Sequence, residues 1–241
     1  MRGWLTLCLL WVGHIAQAAS CSDILFEDVS YTICDVAADE DLRLFQAGPD
    51  GPFGSFSAVE AALQSQGLTL NFAMNAGMFH RDLAPVGLYL QEGVQNTPLI
   101  TTDGPGNFGL LPNGVFCVGD RFWVVESRAY ANAKPACRYA SQSGPMLVID
   151  GALHPKFLEN SPSLNIRNGV GVSDDGSRAI FAISNAGVNF HAFARMFRDH
   201  LGTPNALYFD GSISRLFAPQ LDRHDGGFPM GPIVGVVASK G

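Results

Sequence analysis

What the chain lacks narrows its chemistry first. There is no Cys-x-x-Cys pair, so thiol exchange and a cysteine-rich zinc site have no starting point. There is no Gly-x-Ser-x-Gly elbow, no His-Glu-x-x-His and no glycine-rich loop ending in Lys-Ser or Lys-Thr. A Gly-x-Gly-x-x-Gly match at Gly104 to Gly109 runs on into Leu110-Leu111-Pro112-Asn113-Gly114, a loop and strand rather than the helix a dinucleotide motif must open. His80, His154, His191, His200 and His224 are dispersed, without metal-ligand spacing. No cofactor or metal is therefore expected, although Asp and Asn side chains brought together by folding could hold a divalent cation. The net charge of -7 comes without a basic stripe, which argues against nucleic acid as a partner. Past the first twenty residues no apolar run reaches membrane-spanning length; Ile233 to Ala238 is only strand-length.

Arg2, an apolar run from Leu5 to Val12 and small residues at Ala16, Ala18 and Ala19 read as a secretory leader over residues 1–19. Residues 20–241 then form one domain in a periplasmic or secreted protein, because no linker, repeat or low-complexity tract divides them. Cys8 leaves with the leader, and Cys21, Cys34, Cys117 and Cys137 remain. An even number in an exported chain suggests two disulfides. Three connectivities are open; Cys21 with Cys34 and Cys117 with Cys137 are favoured because each closes a short loop, with buried free thiols as the alternative.

Two helices are expected. Ser57-Ala58-Val59-Glu60 has the form of a capping box, with Gly67 as a left-handed stop. Asn189 can cap a second, in which Phe190, Phe193, Ala194, Phe197 and Leu201 recur at helical spacing before Gly202 and Pro204. Its other face, with His191, Arg195 and Arg198, reads as solvated. Elsewhere strands and turns dominate, among them Leu42 to Phe45, Leu68 to Met74, Val115 to Val125, Met146 to Ile149, Ala179 to Ile183 and Ala206 to Phe209. Gly119-Asp120 and Asp174 to Ser177 look like hairpin turns. The pattern predicts an α/β (α+β) domain: a mixed, largely antiparallel sheet with helices packed on it.

Several strands end in a short polar residue near a glycine: Asn75-Ala76-Gly77, Asp150-Gly151 and Asp210-Gly211. Such ends can set a side chain at a rigid rim, or simply make a tight hairpin. The hairpin reading outweighs the other at Asp150. At Asp210 the two are balanced, since Ser212, Ser214 and Arg215 follow. Stretches 75–80, 107–113, 141–145 and 167–169 combine amides, hydroxyls and an arginine with glycines, a composition suited to sugar hydroxyls and an anion. Arg167 could bind a phosphate in a bidentate way, or equally could serve in a structural ion pair or as a carbonyl-binding arginine.

Taken in order, Asn75-Ala76-Gly77-Met78-Phe79, Pro85-Val86-Gly87-Leu88, Leu111-Pro112-Asn113-Gly114-Val115-Phe116, Gln142-Ser143-Gly144-Pro145-Met146-Leu147, Arg167-Asn168-Gly169-Val170-Gly171 and Leu207-Tyr208-Phe209-Asp210-Gly211-Ser212 resemble the phosphodiester glycosidase family. The likeness runs from about Asn71 to the C-terminus. It implies hydrolysis of the glycosidic bond of a sugar-1-phosphodiester, with a phosphorylated glycan of envelope or exopolysaccharide type as substrate. On that reading Asp210 is base or nucleophile at the anomeric carbon, Arg167 meets the phosphate, and Asp150 is a reserve carboxylate. Asn75, Gly77, Ser143, Gly144, Asn168, Gly211 and Ser212 are expected around the substrate. A non-catalytic glycan-binding envelope protein and a metal-dependent phosphodiesterase are the alternatives.

Overall fold

A computed structural model describes residues 19–240; the expected leader lies almost wholly outside them. Strands fall into three sheets and a short two-stranded ribbon, and every registered strand pair among the described residues is antiparallel. The seven-stranded sheet runs Ser20–Phe26, Val29–Ala37, Arg178–Ser184, Asn168–Val172, Asn205–Asp210, Met146–Ile149 and Ala152–Leu153. A five-stranded sheet centres on Leu68–Asn75, between Leu216–Ala218 and Ile233–Ser239. The other five-stranded sheet centres on Tyr139–Ser143, between Gly114–Val118 and Tyr89–Gln91. The antiparallel α+β class expected from sequence is what forms, with its strands divided among three sheets rather than held in one.

The sheets meet over a cluster of phenylalanines. Phe72 comes from the Leu68–Asn75 strand, Phe116 from Gly114–Val118, and Phe181 and Phe209 from the seven-stranded sheet; all four are fully buried. Phe181 lies 5.0 Å from Phe72, 5.6 Å edge-on from Phe116 and 6.4 Å from Phe209, centroid to centroid. Aromatic rings at such spacings add to area burial, so one residue per strand couples all three sheets.

The helices pack where their apolar stripes can be covered. Phe56–Gln64 is capped by Ser55, whose hydroxyl accepts from the Ala58 N–H, not by Ser57 as the capping-box pattern predicts. Starting two residues earlier lets Phe56 bury against Phe217. Asn189 caps Phe190–Arg195 through the Ala192 N–H, as expected, and a π-helical turn over Met196–His200 extends it. Arg195 and Arg198 pair with Asp199 and Glu27 at the surface, which accounts for that face. The helix Ser127–Ala133 was not expected; Glu126 caps it by accepting from the Arg128 and Ala129 N–H groups.

Both favoured disulfides are present, Cys21 with Cys34 across directly paired strands and Cys117 with Cys137. Replacing Phe116 by alanine should lower the unfolding free energy by about 3–5 kcal/mol, read from urea unfolding with both disulfides intact. A loss below about 1 kcal/mol would show that the centre is not packed this way.

Candidate active site

The strand Asn205–Asp210 carries the acid, and its two faces serve different cores. Phe209 joins the inter-sheet cluster, whereas Tyr208 packs with Phe193 and Phe197 under the helix. Against its neighbour, Gly169 opposes Tyr208 and Asn168 opposes Asp210, so Phe209 is an extra residue in the ladder. A bulge of this kind bends the strand and re-aims the side chain that follows. Here that side chain is Asp210.

Beneath Asp210 lies a buried pair of amides. Asn168 Nδ2 donates to the Asn75 backbone oxygen at 2.9 Å and to Asn75 Oδ1 at 3.0 Å, and Asn75 Nδ2 donates back to Asn168 Oδ1 at 3.3 Å. Both residues are fully buried and come from different sheets. Their remaining capacity holds the turn after the strand. Asn168 Oδ1 accepts the Asp210 N–H at 3.1 Å, and Asn75 Oδ1 accepts the Arg215 N–H at 2.8 Å. The Ser214 hydroxyl, 2.8 Å from the Asp210 carbonyl and 3.0 Å from that of Ile166, ties the turn to the segment before Arg167.

The Asp210 carboxylate is half-buried. Its Oδ1 accepts the N–H groups of Gly211 at 2.6 Å and Ser212 at 2.8 Å. Burial pushes its pKa above the ordinary aspartate value, against the opposing pull of the Ser212, Gly211 and Ile213 N–H groups. Gly211 must lack a side chain, since a Cβ there would sit 2.1 Å from the Tyr208 hydroxyl.

Arg167 is 1% exposed. Its guanidinium lies 3.7 Å over the Phe190 ring, with Nε donating to the Val188 carbonyl, Nη2 to Ser163 and Nη1 to the Tyr208 hydroxyl at 3.3 Å. Among the described residues no carboxylate is in ion-pair reach of it. Burial lowers its pKa, partly offset by Tyr208. Tyr208 itself is pushed well above the usual phenol range by burial, so at neutral pH it is a neutral hydroxyl. The Asn107 side chain faces the same hydroxyl.

The expected site residues thus separate into groups. Asp210, Gly211 and Ser212 form the turn, with Asn75 and Asn168 directly behind it. Ser143 is buried and donates to the Phe209 carbonyl at 2.9 Å, fixing the bulge rather than facing open space. Gly77 and Gly144 are sites of close packing: a Cβ would come within 2.4 Å of the Gln142 carbonyl and 2.6 Å of Asn113 Cβ. Asp150 requires correction. It makes a left-handed hairpin turn with Gly151, and Asn205 donates to its side chain at 3.4 Å. Asn205 opens the strand that Asp210 closes, so the reserve carboxylate stands at the far end of the sheet. Tyr208 is the member that sequence reasoning passed over; its place in the motif beside Asp210 was the available signal. Among the described residues no group of three or more His, Cys, Asp or Glu could hold a metal ion.

Fold and site together define an antiparallel α+β protein with a strand-end aspartate and, behind the neighbouring Tyr208, a buried guanidinium that no carboxylate pairs. A family model described as phosphodiester glycosidase matches residues 69–234, and the chain belongs to that family. The Escherichia coli protein YigE, itself uncharacterised, is 39% identical over 166 residues, 68% of this chain and 64% of that relative, so less than two thirds of its length is spanned. The solved catalytic domain of zebrafish N-acetylglucosamine-1-phosphodiester alpha-N-acetylglucosaminidase, auto-inhibited by its pro-peptide, shares the fold: TM-score 0.64 at 14% identity, covering 93% of this chain and 85% of that one. A putative exported protein from Burkholderia pseudomallei shares it too, with TM-score 0.57 at 10% identity over 86% of this chain and 74% of the other.

The raised pKa of Asp210 has a sign that can be measured. Folding disfavours its ionised form, so it opposes folding above the unfolded-state pKa of about 3.9 and ceases to do so where both states are protonated. Asp210→Asn should therefore raise the melting temperature at pH 7, and the gain should vanish near pH 3. A gain independent of pH would contradict this burial. Asn168→Ala should have the opposite effect, a loss of at least about 2 kcal/mol at neutral pH from the buried partners left unpaired, read by urea unfolding.

Proposed function

We propose that this chain is an exported hydrolase that cleaves the glycosidic bond of a sugar-1-phosphodiester. One observation carries the reading: a half-buried carboxylate, fixed by two backbone N–H groups, stands beside a neutral phenol that a buried guanidinium without a counter-carboxylate supports. A buried cation left unpaired is costly, and an anionic substrate group at the Tyr208–Gly211 edge would offset that cost. Arg167 is too enclosed to grip a phosphate from the front. Tyr208, 0% exposed, is enclosed as well, so the pair acts through the field it sets at the Gly211–Ser212 turn rather than by a direct bond to the departing phosphate.

Glycosidases usually need two carboxylates because a sugar alkoxide is a poor leaving group. A phosphate leaves readily, so the phenol and the field of Arg167 suffice on that side. Asp210 serves as nucleophile at the anomeric carbon, or as the base that takes a proton from water. Either way the bond from the anomeric carbon to the phosphate oxygen breaks, with its electron pair leaving on phosphate. The water oxygen ends on the sugar, and the products are a free sugar and a phosphomonoester. Family membership supports this chemistry, and the zebrafish protein of like fold is an N-acetylglucosamine-1-phosphodiester alpha-N-acetylglucosaminidase. Two disulfides suit an oxidising periplasmic or extracellular setting, in keeping with a leader over residues 1–19 and a catalytic domain over 20–241.

Incubation with a panel of sugar-1-phosphodiesters should release the free sugar and the matching phosphomonoester. Asp210→Asn should lower kcat by at least about 10²-fold, and Tyr208→Phe should lower it to a smaller extent, with both variants folded by circular dichroism. Near-wild-type turnover by Asp210→Asn would remove Asp210 from the mechanism.

A further inference from the structure

Past the Asp210 turn lies a cavity of about 190 Å³ that the hydrolytic groups leave untouched. The first turn of the helix Phe56–Gln64, the segment Arg215 to Phe217 and the loop from His224 to Met230 line it. Phe56, Phe217 and Met230 are buried and give it an apolar lining. Its place relative to Asp210 is fixed by the turn between them. The Ser214 hydroxyl donates to the Asp210 carbonyl at 2.8 Å and closes that turn, and Arg215, the next residue, has its N–H on Asn75 Oδ1.

The polar groups around the cavity have capacity to spare. Arg215 Nη1 donates to the Phe228 carbonyl, while Nε and Nη2 have no acceptor among the described residues. Partial burial lowers the Arg215 pKa against the pull of Asp225. Gly227 lies against the guanidinium: a Cβ there would sit 2.4 Å from Nη2, and its φ of +132° suits glycine alone. Neither Arg215, Glu60 nor His224 enters an ion pair among the described residues. The His224 ring stands edge-on to Phe217 at 4.6 Å. Asp225, by contrast, is engaged, accepting from Arg223 and from the Leu216 N–H, each at 3.0 Å.

This mixture selects among ligands. An anion drawn to Arg215 would meet Glu60 and Asp225, and a cation drawn to those would meet Arg215. A neutral ring bearing several hydroxyls can accept from the guanidinium, donate to a carboxylate and lay its C–H groups on the apolar lining. The space equals roughly six waters' share of liquid volume, which suits one sugar ring and not a length of chain.

From this, and resting on the hydrolase reading above for the choice of a glycan, we infer that the cavity is a carbohydrate subsite. It takes one neutral sugar unit, distinct from the sugar whose anomeric carbon meets Asp210. Arg215 donates to the hydroxyls of that unit, Glu60 accepts from them, and the Ser57 hydroxyl at the rim can do either. The protein then holds two units of its glycan, one for reaction and one for recognition.

Met230 supplies a reporter inside the cavity. With carbon-13 methyl-labelled methionine its NMR signal is identified by its loss in Met230→Leu. Titration of the protein with methyl glucoside, methyl mannoside and methyl N-acetylglucosaminide should move that signal saturably for at least one of the three, and inorganic phosphate should not move it. Arg215→Met keeps the side-chain stem and removes the donors, and Glu60→Ala removes the acceptor from a helix surface. Each should weaken glycoside binding by at least roughly fivefold. No saturable shift with any glycoside, a shift with phosphate in their place, or binding unchanged in either variant would overturn the inference. The titration needs no turnover. Glycoside binding at Met230 with no diester cleaved leaves the subsite standing and ends the hydrolase reading, and cleavage without such binding does the opposite.

Discussion

The reciprocal hydrogen bonding of Asn75 and Asn168 is the contact on which the rest of the site depends. Each amide is fully buried, so each donor and acceptor must be matched or cost stability. Matching them joins the Leu68–Asn75 strand to the Asn168–Val172 strand and leaves Oδ1 acceptors for two main-chain N–H groups, those of Asp210 and Arg215. A turn clamped at both ends by a buried pair has little freedom. Its carboxylate is therefore held in place before any ligand arrives, which is the requirement for electrostatic preorganisation.

The chemistry follows from what this clamp places next to what the aromatic layer shields. Phe190 covers one face of the Arg167 guanidinium, and Phe157 stacks behind Phe190 at 5.0 Å. Such a cation keeps its charge away from water, where it would be screened, and projects it through the Tyr208 hydroxyl. On the proposed reading, the Asp210 carboxylate and the field of the phenol and guanidinium beside it act on the bond between sugar and phosphate.

Much of the fold was legible because strand periodicity and turn chemistry agreed. Met146–Ile149 carries a continuous apolar run, Leu42–Phe45 is apolar apart from Arg43, and the Asp174 to Ser177 hairpin closes with Gly176 in a left-handed conformation. The strand Ser20–Phe26 and the helix Ser127–Ala133 were missed, since the first has weak alternation and the second depends on a cap supplied by Glu126. In the site, residue types and motif order drew attention to Asp210, Arg167, Asn75 and Asn168. Neither reveals burial, so side chains that sequence placed around a ligand, such as Ser143, turn out to be taken up by protein partners. The division of Asp150 from Asp210 was also invisible, because it depends on which end of one strand each acid occupies.

Bond position is the central claim, and hydrolysis of a cleaved diester in oxygen-18 water tests it most directly. Mass spectrometry of the two products should find the label on the released sugar and none on the phosphomonoester. Label on the phosphate would mean that the phosphorus–oxygen bond breaks instead, and would contradict an attack directed by Asp210 at the anomeric carbon.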